Sequence, residues 1–160
     1  MSQSPAAPTT FEPEFIAALT NVMEEMISFN KLIGLKVVQI TPHEVRARIE
    51  MRDELVGHYM TRRIHGGAIS AALDAIGGLA VMAAIGAKHM DEAVLPRMQR
   101  FTRIGTIDLR VDFLRQGMGD AFNLRAQVLR LGSRVASTRM EFAAEDGTLL
   151  STGAAAYIVS

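Results

Sequence analysis

Between His65 and Gly78 the sequence reads His-Gly-Gly-Ala-Ile-Ser-Ala-Ala-Leu-Asp-Ala-Ile-Gly-Gly. Asp74 is the one ionisable residue in an apolar run that continues to Ala87. A carboxylate among hydrocarbon side chains is costly unless it has partners or faces a cavity. Its chemistry there would be to take a proton from water or to attack a carbonyl. The structural alternative is that it caps another element or pairs with a buried arginine. Its helical neighbours Gly67, Ser70, Ala71, Gly77, Gly78 and Val81 form no solvent-loving stripe. If the run is a helix, Gly66 and Gly67 stand at its start, where backbone N–H groups lack intrahelical partners. An N–H aimed at developing negative charge in a dry site is worth ~3–4 kcal/mol. The same two glycines could simply make a tight turn. His65, taken alone, reads as a hydrogen-bonded structural histidine.

Other chemistries find no support. Cysteine is absent, which removes disulfides and thiolate nucleophiles and is compatible with a cytoplasmic protein. His43, His58 and His89 have no metal-ligand spacing with His65 or with each other, so no metal site is expected. There is no Gly-x-Ser-x-Gly elbow around Ser70, no phosphate-loop lysine motif and no dinucleotide fingerprint, and no cofactor is expected. Lysine plus arginine is 17 and aspartate plus glutamate is 17, which gives no reason to expect nucleic acid or an anionic membrane as partner.

The elements that must position these residues follow from periodicity. The length of 160 residues suits one domain. Residues 1–9 read as a flexible tail, and 10–160 as the domain. Thr9 or Thr10 could cap a helix, Thr9 having capping-box spacing with Glu12. Phe15, Ile16, Leu19, Val22, Met23, Met26 and Ile27 then recur at helical spacing, so 10–33 reads as an N-terminal helical extension. Leu35–Ile40 and Val45–Met51 read as a strand pair with one wet face. The run from Ala68 to Ala87 is long enough to span a membrane, but Asp74 near its centre would cost ~3 kcal/mol there. A buried core helix is expected instead, with Gly77 and Gly78 serving close approach of a strand or of substrate. Lys88–Arg100 reads as a polar connection. Ile107, Leu109, Val111 and Phe113 alternate with Asp108, Arg110 and Asp112 as one strand whose charges make cross-strand or interface pairs. Phe122–Leu131, Arg134–Ala143 and Leu149–Val159 read as three more strands. The last carries small residues from Gly153 to Ala156, suited to packing on the helix. The fold class is α+β, an antiparallel sheet wrapped around one long helix.

His-Gly-Gly with an acid nine positions after the histidine, on the central helix of such a sheet, resembles the PaaI-like hotdog-fold acyl-CoA thioesterases. The run Thr106–Arg115 is similar to that family's third strand. The resemblance covers about Gly34 to Val159. It implies hydrolysis of an acyl-CoA to a carboxylate and CoA-SH, with Asp74 as general base or nucleophile. It also implies that the Gly67 N–H polarises the carbonyl, with Gly66 beside it and His65 fixing the loop. Thr106, on the third strand of a partner subunit, would position the water or base. The position that is often asparagine before the His-Gly-Gly falls at His58, or at Tyr59 without a gap. CoA's nucleotide and phosphates fall near the hairpin bearing Arg130, Ser133 and Arg134, with Arg97, Arg100 and Arg103 as a second basic cluster. Paired subunits sharing each site imply a homodimer or homotetramer. A non-hydrolytic acyl-CoA-binding module of the same fold is the alternative, one that leaves Asp74 unexplained.

Overall fold

The computed structural model describes residues 10–160, and the tail expected at residues 1–9 lies outside them. In chain order the elements are α1 (Pro13–Asn21), a π-helical turn (Val22–Met26), α2 (Ser28–Ile33), β1 (Lys36–Ile40), β2 (Val45–Glu50), α3 (Gly66–Lys88), α4 (Val94–Gln99), β3 (Gly105–Phe113), β4 (Ala121–Leu131), β5 (Val135–Ala144) and β6 (Leu149–Ile158). The strands form one antiparallel sheet in the order β1-β2-β4-β5-β6-β3. α3 lies across one face and packs against β2 through β6. The α+β architecture read from the sequence is therefore present, with β1 and β3 as the two sheet edges.

Alternation sets which face meets the helix. Val45, Ala47 and Ile49 of β2 are buried while Arg46 is exposed, and β6 buries Ser151, Gly153, Ala155 and Tyr157 on the same side. From α3, Ile69, Leu73, Ile76, Leu79 and Ala83 fill the space between. The small residues of β6 do serve close packing: a Cβ on Gly153 would meet the Leu73 side chain at 3.4 Å. Among the described residues α3 is the one helix long and apolar enough to span a membrane, and it is largely buried against the sheet. It is not buried all round, however. A stripe through Gly67, Ala71, Asp74, Gly78 and Met82 stays partly open.

Two segments depart from expectation. The N-terminal region is not one helix. It starts at Pro13, preceded by Glu12 rather than by a capping threonine, and the Glu12 side chain makes no cap hydrogen bond. Proline at the first helical position loses no needed donor. The helix then loosens into the π turn and breaks at Ile27, which is extended. Second, the polar connection after α3 contains α4 and a following 3-10 turn over Arg100–Arg103. Pro96 is tolerated because it falls in the first turn of α4, where amide groups have no intrahelical acceptor.

Candidate active site

Asp74 sits two turns into α3 and is partly exposed. No lysine, arginine or histidine pairs with it among the described residues. Its partners are two hydroxyls. Thr106 on β3 donates to Asp74 Oδ1 at 2.8 Å. The Tyr157 hydroxyl on β6 lies 3.2 Å from the same Oδ1 and 2.9 Å from the backbone carbonyl of Asp74. Both side-chain contacts therefore fall on one carboxylate oxygen, and Oδ2 has no partner among the described residues. Burial, and then the neighbouring Asp74 charge, push the Tyr157 phenol well above its usual range, so it stays a donor.

Each hydroxyl arrives by a local device. The β3–β6 register slips between Thr106 and Asp108, so that Thr106 pairs with Tyr157 and Asp108 with Ala156, with Ile107 left over. One extra residue inverts the alternation on its N-terminal side. Leu109 and Val111 face α3 as expected, but Ile107 turns outward and is 56% exposed, and Thr106 turns inward to Asp74. The unbroken alternation read from Ile107 onward is therefore corrected: it is interrupted at Ile107 by this bulge. The Thr106 contact with Asp74 is made within one chain. Tyr157 reaches Asp74 because residue 77 is glycine: a Cβ there would overlap the phenolic oxygen. Close strand approach thus accounts for Gly77. Tyr157 was missed in the sequence reading. The available signal was a polar-tipped aromatic on an inward strand face, which needs a buried partner, opposite an unexplained mid-helix glycine.

At the start of α3, His65 is the N-cap residue. Its Nδ1 accepts the Gly67 N–H at 2.8 Å, and its carbonyl takes the N–H groups of Ala68 and Ile69. A ring nitrogen that accepts is unprotonated, so the neutral His65 carries its proton on Nε2. This corrects the assignment of Gly67. Its N–H is already engaged, and the first-turn amide left without an acceptor among the described residues is that of Gly66. Gly66 borders a hollow of about 520 Å³ walled by Ile64, Ile69, Phe113 and Leu114. His58 does not line it. Its ring stacks on Tyr59 at 5.3 Å and its Nδ1 faces the Met60 N–H at 3.3 Å.

The arginine positions are not gathered with Asp74. Arg130, Ser133 and Arg134 lie around the β4–β5 turn, beyond the C-terminal half of α3. Ser133 lines a hollow of about 650 Å³ with Lys88, Arg100 and Arg103, whereas Arg130 lines a smaller one of about 260 Å³ with Ala80 and Ala83. Of the second cluster, Arg100 is paired with Glu92 through two hydrogen bonds. Arg97 is fully buried, ion-paired with Glu12 and stacked 4.1 Å from the Phe15 ring centre. Arg97 is therefore a structural anchor for α1, not a phosphate ligand. Among the described residues Arg110 pairs along β3 with Asp112 at 3.1 Å, and no cross-strand ion pair is formed by these charges.

Comparison with known proteins decides the family. The Thioesterase superfamily pattern matches residues 62–151, more than half of the chain, from just before His65 into β6. The chain belongs to the Thioesterase superfamily. It is 34% identical over 131 residues to the medium/long-chain acyl-CoA thioesterase YigI of Salmonella typhimurium, covering 82% of this chain and 84% of that protein. The Escherichia coli K12 protein of the same name is 32% identical over the same length. Among solved structures, a Shewanella oneidensis protein related to the thioesterase superfamily superimposes with a TM-score of 0.85 at 34% identity, covering 93% of this chain and 99% of that one. Mouse thioesterase superfamily member 2, at 15% identity and a TM-score of 0.70 over 90% of this chain and 96% of that one, shares the fold. The hotdog fold and the thioester-hydrolase class expected from the sequence both stand.

Proposed function

We propose that this superfamily member hydrolyses acyl-CoA thioesters, with Asp74 as the reacting carboxylate. The observation that carries the reading is the state of that group: partly open, without a counter-ion, with its hydroxyl donors on Oδ1 and with Oδ2 unengaged. The YigI relatives, named for medium- and long-chain acyl-CoA, support the substrate class. Two routes use the same oxygen. As a base, Oδ2 takes a proton from water as the water oxygen bonds to the carbonyl carbon; the C–S bond then breaks and the thiolate leaves as CoA-SH. As a nucleophile, Oδ2 bonds to the carbonyl carbon itself, the thiolate departs, and water hydrolyses the resulting anhydride. Either route loads negative charge onto the carbonyl oxygen, and the free Gly66 N–H at the donor-rich end of α3 is suited to receive it.

One chain holds only half of this arrangement. Gly66 and Asp74 are eight residues apart on one helix, about 12 Å at 1.5 Å per residue. A single thioester carbonyl cannot touch both. The site we infer is therefore shared between two copies, joined through the free edge of β3. CoA's phosphates are assigned to the hollow that Ser133 shares with Lys88 and Arg103. Arg103 is three residues before Thr106, at the mouth of β3.

The test is release of free thiol from a panel of acyl-CoAs by the wild type and by Asp74→Asn. The amide keeps the volume and the two hydroxyl contacts but has no basic oxygen pair. Turnover is expected to fall by at least about 100-fold, the usual scale for a positioned base or nucleophile, with the circular dichroism spectrum and acyl-CoA binding retained. Unchanged turnover removes Asp74 from the reaction. Tight acyl-CoA binding by the wild type with no thiol release overturns hydrolysis in favour of a binding module.

A further inference from the structure

Tyr157 has no part in the chemistry assigned so far, yet two elements are shaped around it. Its ring is buried on the inner face of β6, 2% exposed. Its single hydroxyl proton lies between two acceptors of one residue, the carbonyl and the Oδ1 of Asp74. That bridge ties the carboxylate back to its own backbone and so fixes the side-chain rotamer. α3 leaves a glycine at 77 where a side chain would collide with the phenolic oxygen, and at 78 a Cβ would lie 3.9 Å from the same ring. Mid-helix glycine is disfavoured by backbone entropy, so a packing role alone would be met more cheaply by alanine facing phenylalanine. The polar and charged groups around Asp74 are few. Thr106 meets it from β3 and Tyr157 from β6. Thr138 of β5 sits behind the tyrosine, its hydroxyl bonded to the Ala155 carbonyl at 3.3 Å. Among the described residues no charged side chain pairs with it.

We propose that Tyr157 is a positioning residue for the thioester hydrolysis argued above: its hydroxyl, admitted by Gly77, holds the Asp74 carboxylate in one orientation with Oδ1 engaged and Oδ2 free to react. The proposal rests on Asp74 being the reacting group.

Tyr157→Phe removes the hydroxyl and keeps the ring. Loss of a hydrogen bond to a charged group predicts a fall in kcat of about 10- to 100-fold. KM should stay within about twofold of wild type, since substrate is not touched. Gly77→Ala should reproduce the kcat loss by displacing the hydroxyl. Adding Tyr157→Phe to Gly77→Ala should cost no further kcat and should recover part of the melting temperature, because the clash is relieved. A Tyr157→Phe enzyme with a lowered melting temperature but wild-type kcat overturns the proposal, as does one whose only kinetic change is in KM. If Gly77→Ala does not fold, Tyr157→Phe decides alone. Asp74→Asn in the same series separates the two claims. An active Asp74→Asn removes the reading itself. An inactive Asp74→Asn beside an unaffected Tyr157→Phe removes only the positioning role.

Discussion

A backbone N–H can be deleted cleanly at one kind of position, and Gly66 occupies it. It is the first helical residue of α3, where proline is well tolerated because the amide has no intrahelical acceptor. Proline also demands an extended residue before it, and His65 already has φ −66° and ψ 135°. Among the described residues the one neighbour a Cβ would crowd is the Phe113 ring at 3.3 Å, and Phe113 is an exposed side chain free to turn aside. Gly66→Pro should therefore leave α3 and its His65 cap in place while removing the one free amide at the helix start. If that amide polarises the thioester carbonyl, kcat should fall about 10²- to 10³-fold, the cost of losing one oxyanion donor. The check is thiol release beside a helical circular dichroism signal. A Gly66→Pro enzyme of wild-type kcat would take the amide out of the reaction. The equivalent change at Gly67 would not be informative, since its N–H holds His65 and the helix start would go with it.

At the scale of elements, α1 is held to the rest by side chains that meet where α3 has no side chain. Phe15 packs onto Gly86, where a Cβ would overlap the ring, and Arg97 of α4 stacks on the Phe15 ring while reaching Glu12. Gly86→Ala should overpack this contact and destabilise the protein by ~1–3 kcal/mol. Phe15→Leu in the same chain should return part of the loss, both read from thermal melts. If Gly86→Ala melts like the wild type, α1 yields without cost. The elements carrying these contacts differ in how legible they were. α3 and β2, β4, β5 and β6 were plain in the sequence because an unbroken apolar run and strict alternation are periodic signals. The order of the site residues along α3 came with them. α4 was hidden by Pro96 and by being six residues long, too short for a helical period to emerge. The bulge at Ile107 was hidden for the opposite reason: alternation was so regular that it was extended one residue too far, and a slip of register leaves no mark in composition. Tyr157 fell with it, because its partner Asp74 is 83 positions away. The engaged amide of Gly67 turned on a ring nitrogen's orientation, which no spacing encodes.

At the scale of the whole molecule, the shared site proposed above requires that its two halves meet. β3 has a neighbour, β6, on one side only. Its first residues hold Asp74 through Thr106, and its last residue, Phe113, lies against Gly66. The two ends of this edge strand therefore stand beside the two chemical halves. A nine-residue strand with an open edge is a ready template for pairing. A closed dimer made across a two-fold axis uses the same patch on both copies, and β3 paired antiparallel with itself would bring the Thr106 end of one chain to the Phe113 end of the other. Asp74 of one copy would then face Gly66 of its mate. This arrangement has a consequence that an intrachain site does not share. Asp74→Asn and Gly66→Pro homodimers should each be inactive, because every shared site lacks one half. In a mixed dimer, one site carries both lesions and the other carries neither. Unfolding and refolding the two inactive proteins together at equal concentration should recover about a quarter of wild-type kcat, since half the dimers are mixed and one of their two sites is intact. The mixture must be compared with each variant refolded alone. Recovery well above either parent supports the shared site. A mixture as inactive as its parents, in a preparation shown by differently tagged chains to contain mixed dimers, would confine Asp74 and Gly66 to separate duties within one chain.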